Sequence, residues 1–112
     1  MTAPAAVAEA SAAVDGFRAR LGRCYELSGR HVMNACDGSR LVHGTIQGAG
    51  HPRIGHAWVE KPDGTVYDPV LDAEFPAEIH ALVFSARVDA VYDLEGVAVQ
   101  SLRSGHWGPW AG

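Results

Sequence analysis

The chain has 112 residues, the size of one domain with a single modest core, and we expect one domain over residues 1–112. Its content of 47% hydrophobic and 20% charged residues is that of an ordinary globular protein. A formal net charge of −4 with no basic cluster argues against nucleic-acid binding. No apolar run approaches the roughly 18 residues that a membrane span requires.

The N-terminal segment and the cysteines bear on the compartment. The first residues are rich in alanine, but they include Glu9 and Asp15 and lack a basic leader, which favours a helix over a secretory signal. Two cysteines do not make a disulfide framework. Cys24 and Cys36 would lie within one helix, which prevents their mutual bonding. We therefore expect a reducing cytoplasmic location.

The first half of the chain is typical of two helices followed by a strand. Apolar residues at steps of three or four predict an amphipathic helix from about Pro4 to Leu21. A second helix is predicted over Cys24–Ala35, because Gly38 can take the left-handed conformation that ends helices. Alternation in Leu41–Gln47 predicts a strand, and the glycines of Gly48–Gly55 predict a flexible connection.

The second half begins with a hairpin pattern. His56–Glu60 and Thr65–Tyr67 flank Lys61-Pro-Asp-Gly64, whose proline, aspartate and glycine suit a turn. Three further elements are predicted: a short helix starting at Pro76 within residues 72–80, a strand over Arg87–Tyr92, and a helix over residues 94–102 capped by Asp93 and ended by Gly105. Together these elements predict an α+β fold, with helices packed on one side of a small antiparallel sheet.

Cys24, His56 and Asp68 each stand at an end of a predicted element and suit a cysteine-nucleophile triad. A thiol needs a base to become a thiolate, and the base needs an orienting partner. The helix dipole and free N–H groups favour a thiolate at Cys24, whereas Cys36 lies at the opposite helix end beside Asp37. Cys24 is therefore the candidate nucleophile; the alternative, a small buried apolar residue, stays open.

The hairpin register decides whether His56 and Asp68 can meet. If Lys61 pairs with Thr65 across a three-residue loop, residue 58 lies opposite residue 68. His56 and Asp68 then become diagonal neighbours on one face, roughly 7 Å apart at the backbone. A two-residue Asp-Gly loop would place them on opposite faces. The triad therefore requires the longer loop.

The helix-start cysteine, His-Ala-Trp-Val-Glu from His56, and Asp-Gly-Thr-Val-Tyr-Asp-Pro ending at Pro69 resemble the core of transglutaminase-like and papain-like cysteine enzymes. The resemblance covers Cys24 to Pro69 and implies a minimal form of that α+β core. It implies acyl transfer through a thioester on Cys24, by peptide or isopeptide hydrolysis or by amide exchange. It also implies that His56 acts as base and then as acid, and that Asp68 orients His56.

This chain departs from the papain-like pattern upstream of the cysteine, where those enzymes usually carry a glutamine as an oxyanion donor. Residues 17–23 contain no glutamine. The backbone N–H of Cys24 can supply one donor, and Gln47 is the candidate for the second. We expect Trp58 to contribute to substrate binding. The implied protein is a small cytosolic cysteine peptidase, amidase or acyltransferase acting on a peptide or protein. The alternative is an inactive module of this fold that binds a peptide or protein.

A metal site is the competing interpretation of the six histidines together with Cys24 and Cys36. The sequence contains neither a Cys-x-x-Cys pair nor a His-x-x-x-His pair, which zinc sites commonly use. Gly48-Ala-Gly50 lacks the lysine and the following helix of a phosphate-binding loop. We therefore expect no metal and no cofactor.

Overall fold

A computed structural model describes residues 15–110 and shows an α+β fold built on a five-stranded antiparallel sheet, as the sequence predicts. In chain order the elements are α1 (Cys24–Ala35), β1 (Arg40–Ile46), β2 (Ile54–Glu60), β3 (Thr65–Asp68), β4 (Ala73–Pro76), α2 (Ala77–Val83), β5 (Arg87–Tyr92) and α3 (Leu94–Ser104). Residues 15–20 are helical. A helix was predicted from Pro4 to Leu21, and the part of that prediction before residue 15 lies outside the described residues.

Helix α1 has the predicted bounds, and its buried residues explain its orientation. Cys24, Ser28 and Val32 recur at four-residue steps and are all buried, so they form the face that packs on the sheet. The left-handed conformation that ends the helix is found at Cys36, two residues before Gly38, to which the sequence assigns it. Cys36 itself takes the left-handed conformation, with φ 49° and ψ 39°, and Gly38 follows with φ 85°.

The sheet has the strand order β4-β3-β2-β1-β5, and all neighbouring strands are antiparallel. Strands β1 and β2 pair over their full length, whereas β3 pairs with β2 only at Val59 and Glu60. The first half of β2 therefore has no partner on its β3 side. Strand β4 was not predicted, because a four-residue segment ending in proline carries too little alternation to be recognised.

Helices cover both faces of the sheet. Val32 of α1 and Val97 of α3 pack on one face with Leu41 and Val59. The opposite face carries Val42, Trp58 and Val66, covered by Ala77 at the start of α2 and by Ala86. The prediction that helices lie on one side thus holds for α1 and α3 but not for α2, since alternating strand residues are apolar on both faces.

The last helix has both predicted ends. The Asp93 side chain accepts a hydrogen bond from the Gly96 N–H at 2.7 Å, and Gly105 is left-handed with φ 76°. Over the described part of the chain, no helix combines the length and the apolarity that crossing a bilayer requires.

Candidate functional site

Cys24 is the first residue of α1, and the turn before it leaves the helix start open. Arg23 occupies the N-cap position with φ −114°, and its side chain pairs with the Glu26 carboxylate and does not cap a backbone N–H of the first turn. The first N–H groups of an α-helix have no intrahelical acceptors. The Cys24 side chain, which is 8% exposed, therefore lies beside backbone donors that can stabilise negative charge.

The hairpin between β2 and β3 has the longer of the two loops considered. The Lys61 N–H donates to the Thr65 carbonyl at 2.9 Å, and Val59 pairs with Tyr67. Continuing this register by one residue places position 58 opposite Asp68. The diagonal relationship of His56 and Asp68 follows from this register, as the sequence predicts for a three-residue loop.

His56 and Asp68 form a buried pair. The distance between His56 Nε2 and Asp68 Oδ2 is 2.6 Å, and the two residues are 7% and 2% exposed. The other carboxylate oxygen, Oδ1, accepts backbone N–H groups from Val70 at 3.0 Å and Leu71 at 3.3 Å. Both carboxylate oxygens of Asp68 thus make hydrogen bonds, and the contact at Nε2 fixes the orientation of the His56 ring.

Burial and ion pairing act in opposite directions on this pair. Burial alone lowers the pKa of His56, but hydrogen bonds with Asp68 and Cys24 and their charges outweigh it and raise the pKa to about 9. Burial alone raises the pKa of Asp68, yet the hydrogen bond and charge of His56 lower it overall. At neutral pH the site therefore contains an imidazolium beside a carboxylate. Because Asp68 occupies Nε2, Nδ1 is the nitrogen left for Cys24.

A row of aromatic rings supports His56 from behind. Trp58 stacks on His56 with a ring-centroid distance of 6.1 Å, and His80 of α2 lies 5.1 Å from Trp58 on the same side of the sheet. His80 is 1% exposed and also contacts Phe75 and Phe84. Its burial lowers its pKa, so it stays neutral near pH 7. The pair at His56 and Asp68 is thereby shielded from water on this side.

A cavity of about 270 Å³ opens in front of Cys24, His56 and Asp68. Its other walls are apolar side chains and two glycines: Phe17, Leu21, Gly22, Ile46, Ile54, Gly55, Val70, Leu71 and Phe84. A depression of about 390 Å³ lies elsewhere on the molecule, and one of about 410 Å³ adjoins the cavity at Ile46 and Ile54, but none of the three triad residues lines either of them. The 270 Å³ cavity is therefore the one in which chemistry at Cys24 can take place.

Gln47 and Trp58 do not line this cavity. The Gln47 side chain donates to the His51 carbonyl at 3.1 Å and receives a long contact from Arg53, while its backbone N–H donates to the Phe84 carbonyl. Trp58 is 3% exposed and lies on the buried face behind His56. The structure thus brings together Cys24, His56 and Asp68, and places Gln47 and Trp58 around them rather than in the opening.

Other residues of the site carried no recognisable sequence signal. Phe17, Phe84 and Leu71 look like ordinary apolar residues, and His80 is a lone histidine in a short helix. Cys36 is exposed at the far end of α1 and donates its thiol to the Met33 carbonyl at 3.3 Å. Within residues 15–110, no three side chains of the His, Cys, Asp and Glu types are grouped to hold a metal ion.

Comparison with protein-family models, with curated proteins and with solved structures gives no match for this chain. The class of protein is therefore inferred from the geometry and chemistry of the site.

Proposed function

We propose that the chain is a small cysteine hydrolase or acyltransferase, of papain-like or transglutaminase-like kind, that acts on an amide of a peptide or protein. The observation that carries the proposal is the buried contact of 2.6 Å between His56 and Asp68, together with the position of Cys24 in the lining of the same largely apolar cavity. A nucleophile, a base and an orienting carboxylate in one pocket are the groups that covalent acyl transfer uses.

In the first half of the reaction, Cys24 attacks and His56 protonates the leaving group. The Cys24 thiolate adds to the amide carbonyl carbon, a C–S bond forms, and the carbonyl electron pair moves to oxygen. The backbone N–H of Cys24 donates a hydrogen bond to that oxyanion. When the C=O bond re-forms, the C–N bond breaks, and His56 gives its proton to the departing nitrogen. The products are a thioester on Cys24 and a free amine.

In the second half, neutral His56 acts as the base. Water or an amine attacks the thioester carbon while His56 accepts its proton, and the C–S bond breaks to release the Cys24 thiolate. Attack by water completes hydrolysis, and attack by an amine completes amide exchange. Asp68 stays ionised throughout and stabilises the imidazolium form of His56.

The proposed chemistry needs a reduced thiol, so we propose a cytoplasmic location. Cys24 and Cys36 stand at opposite ends of a helix, about 18 Å apart by helical rise, and cannot bond to each other. An oxidising compartment would leave two free thiols open to intermolecular oxidation.

The test compares the alkylation rates of the two cysteines by iodoacetamide. Cys36 is exposed and Cys24 is buried, so access alone predicts faster modification of Cys36. If His56 activates the thiol, Cys24 is modified at least tenfold faster at pH 6.5, by mass spectrometry of the Cys36→Ser and Cys24→Ser variants. His56→Ala in the Cys36→Ser background removes the advantage. Equal or slower reaction of Cys24 contradicts the catalytic role and favours the inactive peptide-binding module.

A further inference from the structure

The cavity in front of Cys24 indicates which acyl groups the site accepts. Of its twelve lining residues, only Cys24, His56 and Asp68 can carry a charge, and the last two already neutralise each other. Among residues 15–110, the remaining walls offer hydrocarbon and two glycines, with no free cation, carboxylate or carboxamide side chain. A charged substrate group placed there would lose its hydration without gaining a partner.

The apolar surface continues outward from the cavity. Leu21, Ile54 and Leu71 are 52%, 55% and 37% exposed, and all three line the cavity. Exposed apolar side chains that border a concave site are typical of ligand-binding surfaces. The volume of about 270 Å³ is below the usual range for a drug-sized ligand and suits a single large side chain.

Hydrogen bonds hold two of the walls of the cavity in place. On one side, Asp68 accepts the Val70 and Leu71 N–H groups, and the Arg20 guanidinium donates to the Val70 carbonyl at 2.8 Å. This fixes the backbone that carries Leu71 to the same carboxylate that orients His56. The wall and the catalytic base are therefore positioned together.

On the other side, the segment that carries Phe84 is tied to the connection between β1 and β2. The Gln47 N–H donates to the Phe84 carbonyl at 2.8 Å, and the Arg53 guanidinium donates to the Ser85 carbonyl at 2.8 Å. Phe84 also packs edge-on against Phe75 at 5.6 Å between ring centroids. A preformed wall makes recognition depend on the fit of the ligand and not on ordering of the protein.

We infer that the residue whose carbonyl is attacked by Cys24 carries a large, uncharged apolar side chain, and that Leu71 and Phe84 determine this specificity. The inference rests on the proposed function, since it assigns a substrate class to the same site. The side chain next to the reacting carbonyl enters the cavity, and the hydrocarbon of Phe84 and Leu71 surrounds it. Substrates with aspartate or lysine at this position bind less well because the charged group loses its hydration. Substrates with glycine there bind less well because they lack the side-chain contact.

The probes are N-acetyl amino-acid chloromethyl ketones carrying leucine, phenylalanine, glycine, aspartate or lysine side chains, applied to the Cys36→Ser variant. The Cys24 thiolate displaces chloride, so one C–S bond forms, one C–Cl bond breaks and chloride departs. Each rate is divided by the rate with iodoacetamide, which removes differences in thiol reactivity. We expect the leucine and phenylalanine probes to react about tenfold to a hundredfold faster than the aspartate and lysine probes.

Leu71→Lys is the variant that tests the wall, and Leu102→Lys is its matched control. Leu71 is partly exposed, so lysine is tolerated there, and Leu102 is 85% exposed on α3, away from the cavity. Leu71→Lys should reduce the preference for apolar probes at least tenfold and accelerate the aspartate probe, while Leu102→Lys leaves the ranking unchanged.

The outcomes separate the inference from the proposed function. Rapid alkylation of Cys24 by iodoacetamide combined with equal normalised rates for all five probes overturns the apolar specificity and leaves the proposed function standing. The same holds if Leu71→Lys does not alter the ranking. A Cys24 that reacts no faster than Cys36 with iodoacetamide and with none of the ketones overturns both.

Discussion

The Nε2 atom of His56 and the Oδ2 atom of Asp68 lie 2.6 Å apart in a hairpin whose register sets residue 58 opposite residue 68. Both side chains are buried, so their charges interact in a medium that screens them weakly. This contact fixes the ring, raises the basicity of the imidazole and leaves Nδ1 for Cys24. Several expected properties of the protein depend on it.

Asp68→Asn should lower the pKa of His56 from about 9, because the charge that opposes the effect of burial is lost. Imidazole resonances followed by NMR across pH 4 to 10 measure the change. His43 provides an internal control. Burial lowers its pKa to about 4, and its side chain lies on the face of the sheet opposite to that of His56. If the proposed activity is present, Asp68→Asn reduces the rate without abolishing it. An unchanged His56 titration would show that Asp68 does not set its basicity.

The stability of the protein should fall as pH rises from about 6.5 to about 9. The pKa of His56 is higher in the folded state than in the unfolded chain, so its contribution is complete below pH 6.5 and is lost through pH 9. A shift of this size corresponds to an effect on the order of 3 kcal/mol in the free energy of unfolding. Urea denaturation at pH 6 and pH 9 measures it. In His56→Phe the free energy of unfolding should change little between pH 6 and pH 9. A fall of equal size in that variant would mean that groups other than His56 cause it.

Stability should also fall on the acid side, from about pH 6.5 toward pH 4, because of His43. Burial lowers its pKa to about 4, so the unfolded chain binds a proton that the folded chain does not. The imidazole is enclosed by Tyr25, Tyr92 and Trp110 at centroid distances of 4.9 to 5.1 Å, with no hydrogen-bond partner for Nε2 among the described residues. His43→Phe should reduce this acid loss in urea denaturation between pH 4.5 and 6.5. An unaltered slope would mean that other groups cause it.

Cys24→Ala should abolish amide cleavage or transfer while changing the free energy of unfolding by less than about 1 kcal/mol, since a small side chain at a helix start replaces another. Peptide turnover and thermal denaturation are measured on the same preparation. Cys36→Ser is the control, which should keep both activity and stability because that thiol is exposed. Unfolding of Cys24→Ala would instead identify Cys24 as a packing residue. Full turnover by Cys24→Ala would remove it as the nucleophile.

Gly44→Ala should destabilise the fold by about 1 to 3 kcal/mol, because a methyl group there meets the backbone. A Cβ atom at Gly44 would lie 2.0 Å from the Arg87 carbonyl oxygen and 2.8 Å from the Trp58 ring, at the bulge where β1 pairs with β5. Gly48→Ala is the matched control, since its Cβ would have an ordinary contact of 3.6 Å with His51. Urea denaturation compares the two. Equal stabilities would contradict the close approach of the strands at Gly44.

Local chemistry determined the elements that the sequence could predict. The bounds of α1 follow from residue periodicity and the turn residues on either side of it. The hairpin register follows from a three-residue Pro-Asp-Gly loop, and that register is enough to bring His56 and Asp68 together. The positions of the two cysteines likewise indicate Cys24 rather than Cys36 as the nucleophile. The helix dipole favours a negative charge at the start of a helix and disfavours it at the end.

Only the tertiary structure decided what surrounds these three residues. Strand β4 and the position of α2 on the second face depend on contacts that no local pattern records. The cavity draws its walls from segments far apart in the chain, including Phe17, Ile46, Leu71 and Phe84. Each of these is an unremarkable apolar residue in the sequence. Periodicity reports how a segment is oriented and not what it packs against, so substrate-facing walls emerge only when distant segments are assembled.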